Sequence, residues 1–209
     1  MDKDRDYETH WQLYQPLRAQ NLCYVVGKRL TFEFVNDIPW ESTSHVPQYN
    51  PLGKIPALVT ADGEIFYDSP IVAEYIDLLD ATPKFVPEDR QQALRVRQLE
   101  ALSDGICDAA VLLVQEMMRP ADKQNSDWIV RQRGKIDRGL DALERHAKEG
   151  KWLNGAQMTL ADIATGCCLG YLNFRRVAPN WSLERPELVK LAERLFQRES
   201  FTRTEPPVT

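Results

Sequence analysis

Hydrophobic and polar residues follow two different patterns along this chain of 209 residues. Up to about residue 80, short apolar runs alternate with turn residues; from about residue 88, apolar positions recur at helical spacing. Half-buried strands alternate with a period of two, whereas amphipathic helices repeat every three to four residues. The pattern therefore predicts an α+β protein, with an α/β domain over residues 1–80 and an all-helical domain over residues 87–209.

The first domain contains two predicted strands that are joined as a hairpin. Ile55–Thr60 and Ile65–Tyr67 are rich in β-prone residues and flank Asp62-Gly63. This dipeptide favours a type I′ turn, because Asp and Gly tolerate the positive φ angles that the turn needs. An earlier run, Leu30–Phe34, alternates apolar and polar residues and predicts another strand. Ser69-Pro70 predicts a helix start, with Ser69 as the N-cap.

The second domain follows a proline-rich linker over Thr82–Pro87. Thr159 and Asp162 have the spacing of a capping box, which marks the start of a helix. The helix behind them is nearly all apolar, so we expect it to form the centre of the domain. The helical segments predicted by apolar spacing are Leu94–Met118, Trp128–Ala147, Ile163–Leu172 and Pro186–Ser200.

Composition and charge exclude several classes of protein. The chain has 26 basic and 31 acidic residues and a net charge of -5, so it repels phosphate backbones and no nucleic-acid partner is expected. No apolar run approaches the ~20 residues that cross a bilayer, and no membrane association is expected. The four cysteines and three histidines lack the spacing of disulfide frameworks or metal sites. We therefore expect a cytoplasmic protein without a metal.

Two short segments carry candidate chemistry. Pro56 at a strand start indicates an edge strand or a cis bond, and the residue before a cis-proline has backbone groups free to pair with an extended peptide. Asp68-Ser69 lies at a helix N-terminus, which attracts a carboxylate, while the Asp68 carboxylate could pair with an ammonium group. Together they could grip the α-amino acid head of a small peptide. The alternative is a plain strand start followed by an ordinary helix cap.

The order and spacing of these motifs resemble the glutathione S-transferase superfamily. The resemblance covers roughly residues 29 to 200 and is nearest to stand-alone bacterial GST-like proteins. It implies a thioredoxin-like N-terminal domain that binds glutathione, an all-helical C-terminal domain and a homodimer. The segments that carry it are Asn50–Leu58, Asp62-Gly63, Asp68-Ser69, Ile71–Ile76 and Thr159–Ala164.

The resemblance also implies roles for individual residues. Ile55 would hold the cysteinyl backbone of glutathione, with Pro56 in the cis form, and Lys54 would approach the glycine carboxylate. Asp68 and Ser69 would hold the γ-glutamyl end. The second-substrate cleft would have a far wall formed by Asp104, Cys107, Asp108 and Val111. Cys107 could be a redox thiol in the cleft, but a cysteine midway along an amphipathic helix is more often small core filler.

The function implied is that of a detoxification enzyme that uses glutathione as co-substrate. The thiol of glutathione would be transferred to small electrophiles or would reduce them, or it would take part in thiol-disulfide chemistry with a disulfide substrate. The alternative is a GST-fold protein without catalysis, acting as a glutathione-binding or protein-interaction module.

The catalytic loop departs from the family pattern. Family members place a Ser, Tyr or Cys opposite the glutathione sulfur, after a short strand that would here be Trp11–Tyr14. Gln15 stands at this position and offers only amide donors, so it should activate a thiol poorly. Tyr14, one residue earlier, is a substitute hydroxyl. Gln15 and Tyr14 are therefore the catalytic candidates.

A change of reading frame would explain this departure. If Tyr7–Lys28 is back-translated with suitable synonymous codons and read one base later, it can give M-K-L-I-G-S-Y-T-S-P-F-V-R-K-I-S-V-M-L-L-E-K. That string supplies a strand, a Ser-Pro loop and an amphipathic helix. It runs into Arg29 in register if one base is added near Lys28. The hypothesis is that residues 1–28 are out of frame, through a true frameshift or a sequencing error.

Overall fold

A computed structural model of the chain describes residues 8–11, 33–37, 41–79 and 82–204. The chain divides into two compact units, one formed by residues 1–84 together with 199–209 and the other by Phe85–Arg198. The sequence pattern instead places residues 199–209 with the helical domain. Residues 199–204 group with the first unit, although they follow the helices of the second unit in sequence.

The first unit contains a sheet of four strands in the order β2-β1-β3-β4. β1 is parallel to β2 and antiparallel to β3, and β3 is antiparallel to β4. The sheet is therefore mixed, because it contains both parallel and antiparallel strand pairs. The predicted α+β class is confirmed. The strands are β1 (Glu8–Trp11), β2 (Glu33–Asn36), β3 (Ala57–Val59) and β4 (Ile65–Phe66).

The first strand lies earlier than the sequence predicted. We expected it at Trp11–Tyr14, but β1 spans Glu8–Trp11 and shares only Trp11 with that segment. Its backbone pairs Glu8 with Glu33 on one side and with Val59 on the other. A polar segment such as Glu8-Thr9-His10 has no apolar alternation that could reveal a strand. Pairing with two neighbours therefore decides where β1 lies.

The β3–β4 hairpin is confirmed, but its turn is not the predicted type I′ turn. Gly63 donates its N–H to the Thr60 carbonyl at 2.9 Å and has a φ of 85°. Asp62 does not have the positive φ that a type I′ turn requires. The Thr60 hydroxyl accepts the Glu64 N–H at 2.9 Å, which stabilises a longer connection. The connection between β3 and β4 therefore matches the hairpin class in which a four-residue turn ends on a glycine in the left-handed conformation.

The second unit is helical, as predicted. A short 3₁₀ turn over Ala121–Lys123 joins its first two helices, and its third helix is buried along nearly its whole length. That helix packs on the first helix of the unit and on the last. The helices among the described residues are α1 (Val46–Tyr49), α2 (Ser69–Leu78), α3 (Arg90–Met117), α4 (Ser126–Ala147), α5 (Leu160–Arg175), α6 (Pro186–Phe196) and α7 (Glu199–Thr202).

The predicted capping box at the start of α5 is confirmed. The Asp162 carboxylate is fully buried and accepts hydrogen bonds from the backbone N–H groups of Leu153 and Thr159, both at 2.8 Å. Burial raises the pKa of Asp162, although these hydrogen bonds lower it. One carboxylate thereby joins the start of the central helix to the loop before it. Within the described residues, no helix is long and apolar enough to cross a membrane.

Candidate functional site

The β3–β4 hairpin brings the two candidate segments together. Its register pairs Leu58 with Phe66 and Val59 with Ile65. Ile55-Pro56 directly precedes β3, and Asp68-Ser69 follows β4 by one residue. The start of one strand and the residues after the next therefore lie at the same end of the sheet.

Ile55 and Pro56 form the strand side of this site. The peptide bond between them is cis, as the family resemblance implied. Ile55 is buried, with 7% of its surface exposed. Its backbone N–H and C=O make no hydrogen bond to other described residues. Because a buried backbone group normally has a partner, groups that are unpaired among the described residues could pair with an extended peptide.

Asn50 positions the loop before Ile55, a role that sequence reasoning missed. Its buried side chain donates from Nδ2 to the Lys54 carbonyl at 2.9 Å and accepts at Oδ1 from the Leu52 N–H at 3.0 Å. Its own carbonyl accepts from Gly53 at 2.8 Å, and Gly53 has a φ of 60°. Asn and Gly at these positions are a turn signature that could have indicated the role. Lys54 itself is exposed on this loop.

Asp68 and Ser69 form the helix side of the site, with one correction. We expected Ser69 to be the N-cap of α2, but Asp68 is the N-cap and Ser69 is the first helical residue. The Asp68 Oδ1 atom lies 2.6 Å from Ser69 N and 3.3 Å from Ser69 Oγ. A carboxylate is favoured at a helix N-terminus by the exposed N–H groups and the dipole. Ser69 has no exposed surface, whereas Asp68 is exposed.

The four residues proposed for the second-substrate wall do not share one environment. Asp104 and Val111 are half-buried and Asp108 is exposed, at helical spacing along α3. Cys107 is only 3% exposed and belongs to the core. A hydrogen bond with Cys168 of α5, followed by burial, holds the pKa of the Cys107 thiol well above its ordinary value. The placement favours the interpretation of Cys107 as core filler.

The remaining predictions concern the catalytic loop, the cysteines and metal binding. Gln15 and Tyr14, the catalytic candidates, lie outside the described residues. Cys107, Cys167 and Cys168 are all buried, and none of the three forms a disulfide. In the described parts of the chain, no group of three His, Cys, Asp or Glu side chains could hold a metal ion.

Comparisons with known protein families cover both units. Residues 24–79 match the glutathione S-transferase N-terminal domain, and residues 126–194 match the glutathione S-transferase C-terminal domain. The uncharacterized GST-like protein YibF of Escherichia coli (strain K12) is 54% identical over 183 residues, which cover 88% of this chain and 90% of YibF.

Solved structures resemble the whole fold. A glutathione S-transferase from Methylobacterium radiotolerans, in complex with glutathione sulfonate, has a TM-score of 0.92 and 34% identity, covering 98% of this chain and 96% of that one. A glutathione S-transferase from Methylobacillus flagellatus with glutathione bound has a TM-score of 0.91 and 35% identity. The match covers 96% of this chain and 100% of that one.

Proposed function

The chain belongs to the glutathione S-transferase superfamily, and from this premise we propose that it binds glutathione at the hairpin end of its sheet. The observation that carries the proposal is the antiparallel β3–β4 hairpin. It brings Ile55, whose backbone groups make no hydrogen bond to other described residues, to the same end of the sheet as Ser69. An extended peptide can pair with such backbone groups as an added strand. The two relatives solved with glutathione or its sulfonate support this ligand.

Each part of the tripeptide has a proposed partner. The Ile55 N–H and C=O pair with the cysteinyl backbone, and the exposed Lys54 ammonium approaches the glycine carboxylate. Ser69 donates its N–H and hydroxyl to the γ-glutamyl carboxylate, while the Asp68 carboxylate accepts from the ammonium group. Charge-assisted hydrogen bonds of this kind are stronger than neutral ones, so the γ-glutamyl end should supply much of the affinity.

Calorimetric titration of the full chain with glutathione tests this assignment. We expect Asp68→Ala and Ser69→Ala each to weaken binding by about tenfold or more, because each removes a hydrogen-bonding group for a charged ligand end. Asp89→Ala is the matched control, since Asp89 caps α3 in the other unit and accepts from Gln92 at 2.9 Å. Unchanged affinity in both site variants would refute the assignment.

The proposed reaction is transfer of the glutathione thiol to a small electrophile. The thiol loses its proton, the thiolate attacks an electrophilic carbon, and a thioether forms as the leaving group departs. A chlorinated aromatic such as chlorodinitrobenzene provides a test, because chloride release and thioether formation can both be followed. Asp104, Asp108 and Val111 are proposed to contribute to the second-substrate wall, and their alanine variants should raise KM for the electrophile.

A second candidate function is glutathione binding without catalysis. It is favoured by one observation, the amide of Gln15 at the position where family members carry a hydroxyl or thiol. Retention on immobilised glutathione without turnover of chlorodinitrobenzene would support this candidate. Conjugation that persists in Gln15→Ala and Tyr14→Phe would show that another group stabilises the thiolate.

The proposal extends to a cytoplasmic homodimer. Three buried cysteines that form no disulfide are compatible with a reducing compartment. Large apolar side chains of the sheet unit are exposed, and burying them against a second copy would remove them from water. Light scattering after size-exclusion chromatography should give twice the chain mass of 24.1 kDa. The exposed apolar residues concerned are Leu52, Ile65, Tyr67 and Ile71.

A further inference from the structure

The second unit contains a polar cavity of about 660 Å³ that the proposed function does not use. All of the residues that line it lie between Gln92 and Gly155, within that unit. They come from the first turns of α3, from the end of α4 and the residues just after it, and from the loop before α5. Small molecules occupy cavities of about 300–1,000 Å³, so this one has the size of a ligand site.

The α3 side of the cavity presents polar side chains that have no partner. Gln92, Arg95 and Gln98 are spaced three residues apart, so successive members are neighbours on the helix surface. Their side chains make no hydrogen bond or ion pair with other described residues. The Arg95 guanidinium is therefore a full positive charge that no carboxylate of the described chain neutralises. Its planar fork of donors matches the two oxygens of a carboxylate.

The loop before α5 holds a third amide in a fixed position. Asn154 lies in a two-residue turn closed by Trp152 and Gly155, whose N–H groups donate to each other's carbonyls at 3.1 and 3.2 Å. The Leu153 N–H donates to the buried Asp162 carboxylate at 2.8 Å, which fastens the turn to the start of α5. The backbone of Asn154 is therefore already ordered, and a ligand does not have to order it on binding.

The remaining lining groups limit the charge and the shape of the ligand. Glu149 adds a negative charge, which would repel a second negative charge on an anion. Its Oε2 atom lies 4.0 Å from His146 Nδ1, so a protonated His146 pairs with it. Leu99 and Leu153 are buried and contribute apolar surface for the carbon skeleton of a ligand. These groups favour an organic anion with a single charge.

The three amides decide what the body of that anion carries. An amide offers both donors and an acceptor, and a hydroxyl also donates and accepts, so the two pair in either direction. An apolar body would cover the amides without replacing the hydrogen bonds that they make with water, which is costly. A chain of hydroxyl groups would replace those hydrogen bonds.

We propose that this cavity binds a polyhydroxylated monocarboxylate, the chemical class of the sugar acids. Its carboxylate pairs with the Arg95 guanidinium, and its hydroxyls pair with the amides of Gln92, Gln98 and Asn154. The residues of the proposed glutathione site, Lys54 to Ser69, all belong to the first unit. The inference therefore goes beyond the proposed function and does not depend on it.

Calorimetric titration of the full chain with three six-carbon probes tests the ligand class. Gluconate has the carboxylate and the hydroxyls, hexanoate has the carboxylate alone, and sorbitol has the hydroxyls alone. We expect gluconate to bind at least about tenfold more tightly than either of the others, because only gluconate engages both Arg95 and the amides. Absence of gluconate binding, or binding of hexanoate or sorbitol that is as tight, would overturn the proposal.

Two variants test the position of the site. Arg95→Gln keeps a hydrogen-bonding side chain without the charge, and it should weaken gluconate binding by about tenfold or more. Gln98→Leu should weaken gluconate binding by about threefold and should not weaken hexanoate binding, since it removes a partner of the hydroxyls only. Arg133→Gln is the matched control, because Arg133 is an exposed arginine of α4 that does not line the cavity.

Thermal melts establish that each variant is folded before titration. Arg133→Gln should leave gluconate affinity unchanged, and Arg95→Gln should leave glutathione affinity unchanged. Gluconate affinity that is the same in Arg95→Gln as in the wild type would overturn the proposed site, even if gluconate binds to the chain.

Discussion

The buried amide of Asn50 holds the loop that leads into β3. Its side chain donates to the Lys54 carbonyl and accepts from the Leu52 N–H, and these two hydrogen bonds fix the position of the loop that leads to Ile55. Asn50 contributes no atom to the proposed ligand contacts. It acts on binding through the loop, as a positioning residue.

We expect Asn50→Ala to weaken glutathione binding by several fold and to lower the free energy of unfolding by about 1–3 kcal/mol, because both backbone partners lose their hydrogen bonds. Urea unfolding and calorimetry measure the two effects. Gln48→Ala is the control, since Gln48 is an exposed amide residue of the neighbouring helix α1. Equal effects of the two variants would contradict the role given to Asn50.

Cys107 illustrates how the surroundings of a thiol decide its chemistry. Its hydrogen bond with Cys168, burial, and the neighbouring Asp104 carboxylate all raise the pKa of its thiol. The thiolate is the reactive form of cysteine, so a thiol kept protonated is inert. Cys107 is therefore a packing residue between α3 and α5.

This shift in pKa predicts a loss of stability in alkali. The ordinary pKa of the thiol is 9.0 and the folded value lies well above it, so the unfolded chain loses this proton first as the pH rises. The stabilising contribution is complete below pH 9 and is lost as the pH rises through the folded pKa. Urea unfolding at pH 8 and pH 10 should show a smaller decline for Cys107→Ala than for the wild type.

Parallel declines for the two proteins would contradict this assignment. Tyr171, whose pKa is raised mainly by burial from an ordinary value of 10.0, remains in both proteins and provides the common background. Alkylation by iodoacetamide at neutral pH gives a second readout. Cys107 should react only after the chain is unfolded.

At the scale of elements, the packing of α3 against α4 depends on one glycine. A Cβ atom added at Gly139 would lie 2.5 Å from the Cγ1 atom of Ile106. Carbon atoms do not approach so closely, so any larger residue would separate the helices or force Ile106 from its rotamer. The close approach of these two helices therefore requires glycine at this position of α4.

We expect Gly139→Ala to destabilise the protein by about 1–3 kcal/mol through overpacking, despite the higher helix propensity of alanine. Gly105→Ala is the matched control on α3, because a Cβ atom there would meet nothing within 4 Å. That variant should stabilise the protein by about 1 kcal/mol. Urea unfolding of both variants measures the difference. A stabilising Gly139→Ala would refute the packing argument.

At the scale of the whole molecule, the reading-frame hypothesis concerns the segment before Arg29. The match to the N-terminal domain family begins at residue 24. Glu8–Trp11, which form β1, are the positions where the shifted reading has Lys-Leu-Ile-Gly. The shifted reading also has a serine in place of Gln15, and a serine hydroxyl can donate to a thiolate.

The hypothesis predicts a one-base discrepancy near Lys28 when the gene is resequenced. A chain carrying the shifted segment should conjugate glutathione to chlorodinitrobenzene at least about a hundredfold faster than the present chain, since proton-donating and proton-accepting groups contribute about 10²–10⁴-fold to catalysis. An unbroken frame in replicate reads would refute a sequencing error. Equal rates for the two chains would show that the shifted segment does not improve catalysis. The catalytic argument for the reading-frame hypothesis would then fail.

Much of the architecture depends on residues close together in sequence, and the sequence predicted these parts. The capping box of Thr159 and Asp162, the hairpin around Gly63 and the buried centre of α5 are all confirmed. Caps, turns and apolar faces result from neighbours within a few positions, so local sequence contains the information. The family motifs likewise predicted the cis bond before Pro56.

The contacts that could not be predicted join residues whose partners depend on the folded chain. Tertiary structure decided that the Asp162 carboxylate accepts from the Leu153 N–H and that Cys107 of α3 meets Cys168 of α5. It also decided the position of β1, whose polar sequence carries no strand pattern. The sequence by itself determined the elements and the types of residue at the candidate site. Only the tertiary structure decided which polar groups are already engaged, because that depends on what lies opposite each group in space.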